Sequence, residues 1–191
     1  MKSKGLLITM TKNSGKIFEN AIKDSVPSHC LLIRLPDPPQ SFGRSEYLRF
    51  SRPNPCDYIC YNSEDGRLWC LELKTTSGKS ISFENIYSEK KESRMIHKHQ
   101  TLGLLEFSKY NKVVSGFLFN FRLFEDTPEY DEHTYFMEVN DFQNMCDAIG
   151  KKSFNEKDAI SYNAKPLAGI KRKVRFTWDV DTLFREYDNG K

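Results

Sequence analysis

Apolar positions recur three and four residues apart in KNSGKIFENAIKDSV (12–26). Ile17, Phe18, Ala21 and Ile22 fall on one stripe, which predicts a helix with Asn13 or Ser14 as its cap. CLLIRL (30–35) is an unbroken apolar run of strand length. CDYICY (56–61) and LWCLELK (68–74) flank NSEDG (62–66), a turn-forming string, and so predict a hairpin. A short extended piece, ISF (81–83), follows a loop. Helical spacing returns in MIHKHQTLGLLEFSKY (95–110), with Ile96, Gln100, Gly103, Leu104 and Phe107 on one face. KVVSGFLFNFRLF (112–124) and TYFMEV (134–139) read as strands. NDFQNMCDAI (140–149) reads as a helix capped by Asn140, and VRFTW (174–178) as a short strand before the helix DVDTLFREY (179–187). Strands mixed with helices in this order predict a single α/β domain over 1–191, a mixed sheet flanked by helices.

One segment breaks the pattern. Residues 36–55 hold five of the chain's eight prolines. A stretch this long inside a compact domain is either functional or a surface loop. Arg44, Arg49 and Arg52 alternate there with Phe42, Tyr47 and Phe50, the mixture found on nucleic-acid strand-binding surfaces. Composition changes the picture only modestly. A content of 38% hydrophobic and 13% aromatic residues is enough for a real core, and the net charge is +3. The signs are segregated, however. GRSEYLRFSR (43–52) and KPLAGIKRKVR (165–175) are basic, while FEDTPEYDE (124–132) is acidic. This suggests one surface for an anion and another left solvated. The five cysteines form no CxxC pair and no zinc spacing, so buried free thiols in a reducing cytoplasm are expected. No signal-peptide core or membrane-length apolar run is visible, and no membrane partner is expected.

The hairpin carries three charges inside apolar runs: Asp57, Glu72 and Lys74. Strand residues two apart share a face, with Cα atoms ~7 Å apart. Glu72 and Lys74 therefore point one way, and Trp69, Leu71 and Leu73 the other. A turn centred between Glu64 and Asp65 sets Asp57 opposite Glu72; one centred a residue later sets it opposite Lys74. Either register gathers the three on one side unless a bulge intervenes. Two carboxylates ~4 Å apart at an effective dielectric of ~20 repel by ~4 kcal/mol. Lys74 relieves part of this. A divalent cation relieves more, and hard oxygen donors suit Mg²⁺ or Mn²⁺. Such an ion can hold a phosphate oxygen and acidify water, with Lys74 orienting that water. The competing reading is an exposed cross-strand ion pair worth under about 1 kcal/mol.

The hairpin, with PCD at 55–57 and ELK at 72–74, resembles the PD-(D/E)xK nuclease superfamily. More narrowly, the chain resembles the RecU-type Holliday junction resolvases of phages and low-GC Gram-positive bacteria. That resemblance spans about residues 15–184. It rests on GKIFE (15–19), CDY, LELK, SF (82–83), IHKHQ (96–100) and the run from KKSFNEKDAISY (151–162) to RFTWDVDTLF (175–184). It implies a restriction-endonuclease-like fold with an αβββαβ core. It also implies Asp57, Glu72 and the Leu73 carbonyl as metal ligands, Lys74 as catalytic lysine, and Glu19 and Gln100 reaching the site from the flanking helices. Segment 36–55 would then correspond to a stalk that enters the junction, and the protein would act as a homodimer making paired cuts in opposing strands. Three departures stand out. Pro55 and Cys56 replace small hydroxyl residues, extra charged residues lie between Phe83 and Ile96, and the insert is short for a stalk.

Other candidates are weaker. His97 and His99, two apart on a helix, are not expected to share a face, so His99 is expected to touch phosphate or to pack. Lys171, Arg172 and Lys173 are phosphate-contact candidates within a basic extension, 165–191, expected to pack on the core. A core hydrogen bond for Gln100 and a solvated Glu19 remain open. The expectation is a cytoplasmic, Mg²⁺-dependent endonuclease that cuts four-way DNA and leaves 5′-phosphates. A nuclease acting on ordinary duplex DNA, or an inactive DNA-binding module, stays open beside it.

Overall fold

A computed structural model describes residues 13–36, 54–90, 92–125, 127–173 and 176–187. Arg44, Arg49 and Arg52, with the body of the 36–55 insert, lie outside the described residues. The elements run α1 (Ser14–Lys23), β1 (Cys30–Arg34), β2 (Tyr58–Asn62), β3 (Arg67–Thr76), β4 (Ile81–Ser82), α2 (Lys98–Phe107), β5 (Val113–Leu123) and β6 (Asp131–Glu138). They continue with α3 (Val139–Ala148), β7 (Ser153–Phe154), α4 (Glu156–Ser161), β8 (Lys165–Leu167), β9 (Gly169–Lys171), β10 (Phe176–Trp178) and α5 (Val180–Glu186). The main sheet has the order β1-β2-β3-β5-β6-β8. β3 and β5 are parallel and the other pairs antiparallel. This is the mixed sheet flanked by helices expected from the sequence, with the αβββαβ succession carried by α1, β1, β2, β3, α2 and β5.

Each face of the sheet buries its own core. On one face Phe18, Ala21 and Ile22 of α1, together with β10 and α5, cover Tyr58, Trp69, Leu71 and Leu73. On the other, α2, α3 and α4 cover Cys70, Phe117, Phe119 and Phe121. β5 is buried on both faces, which is why VVSGFLFNFRL reads as an almost unbroken apolar run. The C-terminal stretch packs Leu167, Phe176, Trp178, Leu183 and Phe184 into the first core.

Several local expectations need correction. α3 begins at Val139 with Glu138 as its cap, so Asn140 is already helical. β6 runs straight into this helix, and the strand's last residue, still extended, serves as the boundary. α2 begins at Lys98, three residues later than the spacing suggested. Ile96 is instead extended and pairs with Phe83. Ile17 is exposed, so the α1 stripe is narrower than read. The acidic run 124–132 is not simply solvated: Glu125 pairs with Arg122, and Glu132 accepts hydrogen bonds from Asn120 and Tyr130. The short elements β7, α4, β8 and β9 carry too few residues to show a period. Pro166 is tolerated in β8 because that strand pairs on one side only, at the sheet edge.

One contact ties the fold to the hairpin. A Cβ on Gly103 of α2 would lie 2.8 Å from both Cα and Cβ of Pro55, two residues before Asp57. The helix can approach that loop only because residue 103 has no side chain. Gly103→Ala is therefore expected to destabilise the protein by ~1–3 kcal/mol through overpacking, despite alanine's better helix propensity. Urea denaturation checks this, and an unchanged or raised midpoint would refute the close-approach argument.

Candidate functional site

The β2–β3 turn sets the register. Asn62 Oδ1 accepts the Glu64 N–H at 3.0 Å, Asp65 Oδ1 accepts the Arg67 N–H at 2.9 Å, and Gly66 takes a positive φ of 71°. Asn62 then pairs with Arg67 and Tyr58 with Leu71, which is the turn centred between Glu64 and Asp65. A regular continuation would set Asp57 against Glu72, but the pairing stops at Tyr58 and Leu71.

The ladder ends with an irregular step. The Asp57 N–H donates to the Leu71 carbonyl at 3.1 Å, although Leu71 is already the partner of Tyr58. The next donor on β3, the Leu73 N–H, goes to Asp57 Oδ2 at 2.8 Å. The Asp57 side chain thus takes over where β2 stops supplying main-chain acceptors, as an orphan N–H at a strand end requires. Burial pushes the Asp57 carboxyl above the usual range. The Leu73 N–H and the Lys74 charge oppose this, and the Glu19 charge adds to it.

Glu72 is 2% exposed. Its Oε1 accepts from Lys74 Nζ at 2.7 Å and from the Gln100 amide nitrogen. The Gln100 amide is oriented from behind: its Oε1 accepts the His97 N–H at 2.8 Å, which turns the NH₂ toward Glu72. Gln100 is therefore hydrogen-bonded on both ends of its amide. The Cys56 thiol is pushed up first by a hydrogen bond with Cys70, then by burial, and also by the charges of Glu72 and Asp57. Both carboxylates therefore bear on one sulfur.

Glu19 stands on α1 beside this group. Lys16 Nζ lies 2.9 Å and Arg34 Nε 3.4 Å from Glu19 Oε2, so Glu19 is neither solvated nor alone. Sequence reading missed Lys16 and Arg34. The available signals were an i,i+3 Lys–Glu pair and an arginine closing an otherwise apolar strand. It also missed Asn120, a fully buried amide in the most apolar strand. Asn120 accepts the Thr75 hydroxyl at 2.6 Å and donates to Glu132 and Thr134 at 2.9 and 3.0 Å. This anchors the residue next to Lys74 across three strands.

The remaining candidates divide. His99 is exposed, and its ring stacks on that of His97 with centroids 5.6 Å apart and planes 10° apart. The two histidines do share a side, against expectation, because His97 is the extended N-cap of α2 and not a helical residue. Lys171 Nζ bonds the Tyr130 carbonyl and sits over that ring, while Arg172 and Lys173 are exposed.

Among the described residues, no group of three or more His, Cys, Asp or Glu is arranged to hold a metal. An ion at the hairpin would rest on two carboxylates and a main-chain carbonyl. The donors there do fit one. They are hard oxygens, and burial of Asp57 leaves a desolvated carboxylate that a cation would relieve.

No protein-family model matches the chain. Among solved structures, Hjc, a Holliday junction resolvase from the archaeal hyperthermophile Archaeoglobus fulgidus, aligns over 79% of this chain and 93% of its own. The TM-score is 0.43 and the identity 12%, too distant to carry chemistry across. A curated relative is far closer in sequence. The SPbeta prophage-derived uncharacterized protein YotM of Bacillus subtilis (strain 168) is 30% identical over 188 residues, covering 91% of this chain and 86% of the relative. At that identity and coverage, the chain belongs to the family of the SPbeta prophage protein YotM.

Proposed function

We propose that this protein is a metal-dependent endonuclease of branched DNA, a Holliday junction resolvase that works as a homodimer through paired incisions. The observation that carries the reading is the buried Glu72, shared between Lys74 and Gln100, with Asp57 bonded to the adjoining Leu73 N–H and within the field of Lys74. An exposed salt bridge accounts poorly for this arrangement, because Glu72 is buried and shared between an ammonium and an amide. Asp57, Glu72 and the Leu73 carbonyl are the residues that would hold Mg²⁺ or Mn²⁺, whose chemistry is to polarise a phosphodiester oxygen and acidify water. Lys74 supplies a fixed positive charge on the same face as Glu72. It orients the attacking water and offsets the negative charge that grows on the phosphate. Gln100 holds Glu72 in place, and Glu19, with Lys16 and Arg34, sets the potential around Asp57. In-line attack by water that expels the 3′-oxygen leaves a 3′-hydroxyl and a 5′-phosphate. Exposed Arg172 and Lys173, with His99, offer contacts to the DNA backbone.

Asp57→Ala is expected to bind a four-way junction with wild-type affinity and to cut it more than about 100-fold slower, beyond the ~10–100-fold typical of a merely supporting residue. Gel-shift and cleavage assays with and without Mg²⁺ read the two effects separately. Equal cleavage by wild type and variant would sink the nuclease reading. Faster cutting of linear duplex than of a mobile four-way junction would move the substrate to ordinary DNA.

The raised pKa of Asp57 gives a second expectation. A carboxyl whose folded pKa lies above its unfolded value favours folding fully below the unfolded pKa, and that contribution is lost as pH rises through the folded pKa. Without metal, ionised Asp57 therefore destabilises the protein at neutral pH. Asp57→Asn is expected to raise the melting temperature at pH 7 and to have no such effect near the unfolded carboxylate pKa. Mg²⁺ is expected to raise the melting temperature of wild type but not of the variant. Thermal melts across pH check both signs.

A further inference from the structure

We propose that Glu84 is a positioning residue for this site: it holds the first turn of α2, and through that turn the Gln100 amide on Glu72. The proposal rests on the nuclease reading above. A helix leaves its first N–H groups without intrahelical acceptors, and Ser, Thr, Asp or Asn at the cap normally supplies one. α2 has His97 at that position. An acceptor for the first helical N–H, that of Lys98, comes from the far side of a loop. Glu84 Oε2 takes the Lys98 N–H at 2.7 Å, and Oε1 lies 3.4 Å from His97 Nδ1. The Glu84 side chain is only 11% exposed, and its own N–H donates to the Ile96 carbonyl at 2.9 Å.

The segment between Glu84 and the helix is tied in as well. Lys98 Nζ reaches the Ser88 carbonyl at 3.2 Å, and Met95 N–H the Ser82 hydroxyl at 3.1 Å. This is the extra charged stretch noted between Phe83 and Ile96. Burial alone would raise the pKa of Glu84, but the Lys98 N–H and His97 overrule it and hold the carboxyl below its ordinary value. An ionised carboxylate at a helix N-terminus is also favoured by the helix dipole. The consequence reaches the site because His97 and Gln100 belong to the same turn. The His97 N–H fixes which end of the Gln100 amide faces Glu72. If that turn frays, Gln100 loses both its orientation and its reach.

The test is a cycle of Glu84→Ala, Glu84→Gln, Gln100→Ala and Glu84→Ala/Gln100→Ala. Glu84→Ala is expected to lower kcat on the four-way junction about 10–100-fold with KM unchanged, as removal of a supporting partner does. Glu84→Gln, which keeps an acceptor for Lys98, restores most of the rate. In the Gln100→Ala background, Glu84→Ala costs less than about 2-fold further, because both act through one contact. Equal losses in the two backgrounds, or wild-type kinetics in Glu84→Ala, overturn the proposal. A readout independent of catalysis separates it from the nuclease reading. The ¹⁵N–¹H signals of the Gln100 side-chain amide are expected to shift in Glu84→Ala and to stay near wild type in Glu84→Gln. If the wild-type protein cuts no DNA, the nuclease reading fails while these signals still decide the role of Glu84. Unmoved Gln100 signals in Glu84→Ala overturn it.

Discussion

Everything about this molecule's site turns on a buried carboxylate. Glu72 sits inside a sheet whose two faces are both covered, where an unpaired charge costs several kcal/mol. The fold tolerates it because Lys74 and the Gln100 amide converge on one of its oxygens. Replacing such a group with a hydrophobic residue of similar size is often neutral or stabilising, so stability gives little reason to keep it. A charged group retained against that alternative points to work that needs charge. The same reasoning does not extend to Lys109–Glu106, which joins neighbouring surface side chains and costs little to keep or lose.

The two-sided sheet explains how groups from opposite sides reach one place. Glu19 comes from α1 on the first face and Gln100 from α2 on the second. They cannot meet through the middle of the sheet. Each bears on the hairpin separately, Gln100 through its bond to Glu72 and Glu19 through its charge on Asp57, where the β2–β3 ladder gives way to the Asp57 side chain. That opening depends on small features at its back. Gly103 lets α2 close on Pro55, and Asn120 pins the strand next to Lys74 by linking Thr75 to Glu132 and Thr134. The charged end of the hairpin therefore draws its rigidity from both cores, as preorganised groups require.

Much of this was legible because period and length are strong signals. The alternation in LWCLELK separated Glu72 and Lys74 from Trp69, Leu71 and Leu73, and the latter three share one core while Cys70 joins the other and Glu72 bonds Gln100 of α2. NSEDG limited the hairpin to two registers, and the structure adopts one of them. The irregular step at Asp57 was invisible, because it depends on Pro55 and on α2 lying behind the loop. The start of α2 was misplaced for a related reason. Met95 and Ile96 fit a helical stripe, yet Ile96 gains more by pairing with Phe83. With the helix beginning later, His97 became extended and could stack on His99, which spacing on a helix had ruled out. Glu84 carried no signal at all, since its acceptor role is created by tertiary contact with Lys98.

Asp57 shows the conflict between holding a fold and holding an ion. As a fold element it supplies the acceptor that β3 lacks at Leu73, and a neutral amide oxygen would do this at lower desolvation cost. On the proposed reading it would also be a ligand and carry charge, which burial makes unfavourable without a cation. An ion there would remove the conflict, and part of its affinity would derive from the penalty the fold carries at this position. A carboxylate placed only to terminate a strand would be relieved of that penalty by its surroundings. Here the surroundings relieve it in part, through the Leu73 N–H and Lys74, and Glu19 works the other way. Glu19 adds negative potential at Asp57, and its partner Arg34 offsets part of it.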